Sequence, residues 1–354
     1  MNGPFVALAA LVALVAAACQ PSSPGPVPSA APSTTGASAP AAGPASDAGA
    51  ASAGALTILS AAHLPASALD WPVYVADEKG LFRAHGLDLD VVQVGTPNDA
   101  ARAVVSSSTQ VGLFSLDAAV RAIEGGGDLV VVGTEVTNPA FGLVVQPEVR
   151  DFADLRGKSI AVGTPKDGAA VVLRLMMRAR GLSDTDYDFA SVGAAPNRYT
   201  ALKTRAADGA VLAHPLDLTA MAEGYRLLGR SSDAIRDYLF LTVSANRSWA
   251  REHRPVLVRY LRALGAAIAW LYDPANRDEA IDILVARMGT DRDAVVRTYA
   301  LYVEEARIYP HAADVSLAGL DVFLKAMIEL EDLPGPTADP ARYVDLSFVQ
   351  EAQR

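Results

Sequence analysis

DLDVVQVGTPNDAARAVVSSSTQVG, from Asp88 to Gly112, and YDFASVGAAPNRYTALKTRAADGAV, from Tyr187 to Val211, are two versions of one pattern. Each opens on a short β-branched run, turns at a glycine, passes an asparagine and an amphipathic stretch, and meets another glycine as the next apolar run begins. Gly95 answers Gly193, Asn98 answers Asn197 and Gly112 answers Gly209. The segments before them end alike, with Gly86-Leu87 answering Gly181-Leu182. A strand–helix–strand unit that occurs twice, about a hundred residues apart, predicts two similar α/β lobes.

Outward from this pair, short β-branched runs alternate with longer amphipathic ones. LTILS (56–60), DLDVVQV (88–94), QVGLF (110–114), DLVVVGTE (128–135), KSIAV (158–162), YDFASV (187–192) and GAVLA (209–213) read as strands of a parallel-rich sheet system. A helix is predicted from Pro97, with Thr96 as N-cap, Pro97 in the first turn and Asp99 complementing the dipole. After YLFLTVS (238–244) helices take over. Leu257, Leu261, Leu264, Ile268 and Leu271 recur at helical spacing behind Pro255, and Thr290 with Asp293 has the spacing of a capping box. This helical tail is expected to pack on the first lobe.

The head of the chain is different. From Phe5 to Ala18 it is apolar without interruption, and fourteen residues make about 21 Å of helix, short of the ~30 Å hydrocarbon core. That is the length of a signal-peptide core, so residues 1–18 are expected to direct export. Cys19 follows at once and is the only cysteine. Its position resembles the lipobox of bacterial lipoproteins, which implies a lipid anchor on Cys19. Of residues 20–55, 31 are Ala, Pro, Ser or Gly, a composition that cannot bury enough surface to offset chain entropy. Residues 19–55 are therefore expected to be a lipid-anchored, disordered tether, followed by lobe 1 (56–146), lobe 2 (147–236) and a return to lobe 1 with the C-terminal helices (237–354).

Forty acidic residues against thirty basic ones, in 354, leave a net charge of −10. A nucleic-acid partner needs a basic footprint and is excluded on that balance. One cysteine excludes an internal disulfide.

In open α/β sheets ligands gather at the carboxyl ends of strands, where helix N-termini present unpaired N–H groups. Candidates at these crossings are Ser60 with His63, Ser115, Thr134 with Thr137, Gly163 with Thr164 and Asp167, and His214 beside Pro215. Arg198 is the cationic candidate and Trp71 the aromatic one. Ser115, Thr164 and His214 are expected to reach one ligand from opposite lobes. Plain helix caps would use Ser115, Thr164 and Asp167 in the same places, and with 25 Arg against 5 Lys in the chain an arginine is often only a solvated surface residue.

WPVYVADEKGLFRAHGLDLDVV (71–92) and FADLRGKSIAVGTPKDGAAVVLRLMMRARGL (152–182) together resemble the substrate-binding proteins of bacterial ABC importers. The group in view includes the aliphatic-sulfonate, taurine and nitrate binders and the binders of thiamine-pyrimidine precursors. The resemblance rests on Pro72, Tyr74, Ala76, Gly80 and Phe82 and on the turn Asp154, Leu155, Gly157 and Lys158, and it covers about residues 56–330. It implies a two-lobed type II periplasmic-binding fold that closes on one small organic molecule or anion. It also implies delivery to a membrane permease with a cytoplasmic ATPase. Asp167, in the loop where these proteins often carry Gly-Ser or Gly-Thr, weighs against a simple inorganic anion.

No nucleophile elbow, paired-histidine zinc motif or phosphate loop is present. The alternating Asp184, Asp186 and Asp188 lack the glycine and distal glutamate of a calcium loop. A non-enzymatic, monomeric binder without metal or cofactor is therefore expected. Two alternatives stay open: an enzyme on the same fold, and a lipoprotein that senses its ligand without transport.

Overall fold

The structure is a computed structural model and describes residues 55–138, 141–335 and 339–354. Cys19, the export signal and all of the tether but Ala55 lie outside the described residues.

The first βα units run β1 (Thr57–His63), α1 (Trp71–Glu78), α2 (Leu81–Ala84), β2 (Leu87–Gln93), α3 (Pro97–Val105), β3 (Val111–Ser115), α4 (Leu116–Glu124) and β4 (Leu129–Thr137). A second series follows: β5 (Gly142–Val145), β6 (Ser159–Val162), α5 (Gly168–Arg178), β7 (Asp188–Ser191), α6 (Ala195–Lys203), β8 (Gly209–Leu212), α7 (Leu216–Ala222) and β9 (Arg226–Arg230). Then come β10 (Leu239–Asn246) and the helices α8 (Arg247–Glu252), α9 (Arg254–Tyr272), α10 (Arg277–Met288), α11 (Arg292–Tyr299), α12 (Leu317–Glu329) and α13 (Ser347–Ala352).

Two five-stranded sheets result, in the orders β2-β1-β3-β10-β4 and β7-β6-β8-β5-β9. Each has three parallel strands followed by one antiparallel strand in fourth place. The repeat seen in the sequence maps β2 and β3 onto β7 and β8. This is the expected two-lobed α/β architecture. The antiparallel strand of each sheet is the first one laid down after the chain crosses from the other sheet.

That exchange escapes the sequence reading. Gly142–Val145 falls within the residues assigned to the first lobe, yet it pairs with β8 and β9, so the change of sheet comes after Thr137 rather than after residue 146. A four-residue apolar run carries no mark of which sheet it joins, and β5 and β9 were not anticipated as strands. β1 also runs three residues beyond Ser60, to His63, because its whole length pairs in register with β2.

Thr96 caps α3 as expected, accepting from the Asp99 N–H at 3.2 Å. Asp291 rather than Thr290 caps α11, accepting from the Ala294 N–H at 3.1 Å. The apolar face of α9 is buried as its spacing predicts, with Leu257, Leu261, Leu264, Ile268 and Leu271 all in the core against α1 and α2. Each such side chain contributes about 1.5–3 kcal/mol. The tail also reaches the second series: Arg174 and Arg178 of α5 donate to the Leu330 and Glu329 carbonyls at the C-terminal end of α12, at 2.7 and 2.9 Å. Asp332, just beyond and with its side chain 3% exposed, pairs with Arg174 at 2.8 Å and with Arg121 of α4 at 3.3 Å. One carboxylate thus ties a helix of each sheet.

Candidate functional site

A cleft with about 680 Å³ of empty space, continuous with solvent, opens where the carboxyl ends of strands from both sheets meet. The segment after β1 supplies Leu64, Pro65, Ser67, Leu69 and Asp70. The starts of four helices face it: Pro97 of α3, Ser115 before α4, Asp167 to Ala169 at α5, and Gly193 to Ala195 with Arg198 at α6. Phe141, Phe240 and Leu241, on the two crossing segments, complete the wall with Ala213.

These helix starts are not equivalent. Thr96 fills the N-terminus of α3. Asp167 fills that of α5, its carboxylate accepting from the Ala170 N–H at 2.9 Å and the Thr164 N–H at 3.0 Å. A Cβ on Gly163 would collide with that carboxylate, so glycine at 163 makes room for Asp167. By contrast Ser115 and Ala194 give no side-chain cap to α4 and α6. Their first N–H groups, with the positive end of the dipole, are left for an acceptor.

Beside these two starts lie unused polar atoms. Ser115 Oγ is buried without a partner that meets hydrogen-bond geometry, although the hydroxyl is close enough to Asp117 to favour its charged form. Burial nonetheless raises the Asp117 carboxyl to about 6, against the opposing pull of Arg121. Arg198 is 7% exposed, and its Nε also lacks a partner. Burial lowers its pKa while Asp167 across from it acts in the opposite sense. Phe141 and Phe240 meet edge to face, with centroids 5.0 Å apart, a geometry that suits an apolar or aromatic ligand face.

Three of the sequence candidates, Ser115, Asp167 and Arg198, line this cleft. Gly163 and Thr164 stand just behind, with Thr164 Oγ1 buried and unpartnered. The others do not line it. Ser60 lies within β1, its hydroxyl donating to Asp90 at 3.2 Å. His63 is buried, and burial pushes its imidazole down to about 4, so it is neutral. Trp71 is fully buried in the core, where Nε1 donates to the Ala280 carbonyl at 3.0 Å and the ring packs edge-on to Tyr299. Thr134 is buried within β4, and the Thr137 hydroxyl donates to the Ile308 carbonyl at 3.2 Å. His214 turns away from the cleft: its Nδ1 is 2.5 Å from Asp217, which also pairs with Arg230 at 2.9 Å, and its ring stacks on Tyr302. The expected trio of Ser115, Thr164 and His214 is therefore not a single ligand-facing set.

Sequence reasoning missed Asp70, Phe141, Phe240 and Gly193. Asp70 precedes Trp71-Pro72 and was passed over for its more conspicuous neighbour. Phe141 and Phe240 become visible only once the two crossings are located. Among the described residues no three His, Cys, Asp or Glu side chains are grouped to hold a metal ion, and no helix is long and apolar enough to cross a membrane.

The architecture is shared with solved structures. The alkanesulfonate-binding protein SsuA of Xanthomonas axonopodis pv. citri, bound to MOPS, superposes with a TM-score of 0.68 at 20% identity, over 84% of this chain and 98% of that one. The periplasmic nitrate-binding protein NrtA of Synechocystis PCC 6803 gives 0.69 at 15% identity, over 84% and 88%. A DSZB mutant in complex with biphenyl-2-sulfinic acid gives 0.58 at 14% identity, over 83% and 99%. At these identities the likeness is one of fold. Among curated proteins none matches by sequence. The NMT1/THI5-like family model matches residues 70–277, more than half of the 354 residues and spanning most of both sheets. This chain belongs to the NMT1/THI5-like family.

Proposed function

We propose that this protein is the extracytoplasmic substrate-binding component of an ABC importer, and that it captures one small organic molecule between its two lobes. The observation that carries this reading is the meeting, in one cleft, of two uncapped helix starts from opposite sheets, each with a buried polar atom in no well-formed hydrogen bond: Ser115 Oγ at α4 and Arg198 Nε at α6. A ligand that contacts both lobes favours the closed arrangement by its differential affinity. Each helix terminus contributes about 0.3–1 kcal/mol, whereas micromolar affinity needs about −8 kcal/mol. Hydrogen bonds to Ser115 and Arg198 and packing on Phe141 and Phe240 supply the difference. The solved sulfonate- and nitrate-binding relatives in fold support a transport role.

The rest of the reading follows from the sequence. Residues 1–18 direct export, Cys19 carries the lipid anchor, and the tether holds a monomeric binder at the outer face of the membrane, within reach of a permease with its cytoplasmic ATPase. Residues 56–354 form the binder. A thermal-shift screen of small metabolites tests the function. A compound that raises Tm at one equivalent and is recovered unchanged supports binding; recovery of a changed product would make the protein an enzyme instead.

A further inference from the structure

The cleft has a second polar end, 3% exposed Asp70, which the Ser115–Arg198 pair does not explain. Asp70 ends the short turn Ala68–Asp70 and stands as N-cap of α1, yet its carboxyl group bonds to none of that helix's N–H groups. It lines the cleft instead. Behind it lies Glu135 of β4, fully buried, with neither carboxyl oxygen in a hydrogen bond. The Val73 N–H, in the first turn of α1, is directed at Glu135 without meeting hydrogen-bond geometry.

Two carboxyl groups therefore share one wall, and among the described residues no basic side chain pairs with either. The titratable groups around them are the phenols of Tyr74, Tyr260 and Tyr309. Tyr309 donates to the Ala68 carbonyl at 2.6 Å; Tyr74 accepts from the Ser67 N–H at 3.0 Å and forms no hydrogen bond with either acid. Tyr260 Oη has no partner. Arg287 acts on Tyr74 from the other side. Neither Arg198, which faces Asp167, nor Arg121, which pairs with Asp117 and Asp332, forms an ion pair with either acid. Burial raises Asp70 to about 7, and burial and Asp70's charge together hold Glu135 well above its ordinary value. Buried acids either stay neutral or are met by a positive charge.

We propose that Asp70, backed by Glu135, seats a positively charged nitrogen group of the ligand, an amidinium or ammonium, while the opposite end of the ligand presents acceptors to the N-termini of α4 and α6. This rests on the cleft being the ligand site. The ligand class is then a small bipolar molecule with a basic nitrogen at one end, rather than a compact anion.

Three phenyl compounds that differ only in the head group make the test: benzamidine, benzamide and benzoate, titrated calorimetrically at pH 8 into the full chain. Benzamidine should bind about tenfold more tightly than benzamide, the expected difference between a charge-assisted and a neutral hydrogen bond, and Asp70→Asn should abolish that preference. Equal affinities, a preference for benzoate, an unchanged preference in Asp70→Asn, or no binding of benzamidine at millimolar concentration each overturns the proposal. Should Asp70→Asn not fold, the wild-type comparison of benzamidine with benzamide still decides. Benzoate binding that is lost in Ser115→Ala would leave the cleft as the ligand site while refuting the cationic seat.

Discussion

The carbonyl oxygen of Gly95 and the α-carbon of Gly193 face each other across the cleft, so that a Cβ added to Gly193 would stand 3.8 Å from that oxygen. These glycines are the equivalent first turns of the repeated unit, after β2 and after β7. The two copies of the repeat thus meet each other at the cleft. Gly193 has φ +85°, a conformation that L side chains resist. Gly193→Val should cost about 1–2 kcal/mol in urea unfolding, and, by crowding the approach of the lobes, it should weaken ligand binding beyond that loss. Gly224→Val, at φ +97° with open space around it, is the control that carries the strain without the crowding.

Ser115 and His214 should separate binding from stability. Ser115→Ala removes a buried hydroxyl that makes no well-formed hydrogen bond and only favours the Asp117 carboxylate, so unfolding should change by less than about 1 kcal/mol while affinity for a cleft ligand drops about five- to tenfold. His214→Ala breaks the His214–Asp217–Arg230 chain and the stacking on Tyr302. It should cost about 2–3 kcal/mol in stability and leave the affinity of the folded protein nearly unchanged. Parallel chemical denaturation and calorimetric titration check both.

How much of this was legible beforehand depended on the kind of signal. The echo of 88–112 in 187–211 located the two copies of the fold, because glycine turns and capping residues are set by local backbone geometry. Ser115, Asp167 and Arg198 could be found by one rule, since they sit at or just inside helix starts that follow parallel strands. Phe141 and Phe240 could not. Their place in the cleft depends on where the chain crosses between sheets, and β5 looks like any other buried four-residue run. Trp71 and His214 misled for the complementary reason: a strand end or helix start shows where a side chain begins, not which way it points, and the core took both.

Asp332 should act as a strap between the two series of elements. Asp332→Asn leaves Arg121 with Asp117 and Arg174 with Asp184, so the cost should be about 2 kcal/mol, below the ~3–5 kcal/mol of an isolated buried pair. The loss should fall mainly on the contact of α4 with α5. Hydrogen exchange should quicken in α5 and at the end of α12 while α9 stays protected.

Opposed titrations shape the pH profile. Asp70 rises from 3.8 unfolded to about 7 folded, so the native state holds the extra proton across that range. Its contribution to stability is present below about pH 4 and is lost as pH climbs through 7. His63 falls from 6.5 to about 4, which makes the native state lose stability as pH drops from 6.5 toward 4. Asp70→Asn should therefore match the wild type near pH 4 and become progressively more stable than it from pH 5 to pH 8. Melting temperatures of the two proteins across that range check the sign, and a constant difference would refute it.

The central claim is that one small molecule is held between the lobes by groups from both. Native mass spectrometry of the protein, incubated with the small-molecule fraction of a cell extract and then freed of excess, tests it most directly. The account predicts one adduct per chain, released on denaturation with the mass of a compound that was supplied, and its loss from the Ser115→Ala, Arg198→Ala double variant. A wild-type chain that carries no adduct, an adduct retained by the double variant, or a released compound of altered mass would contradict it.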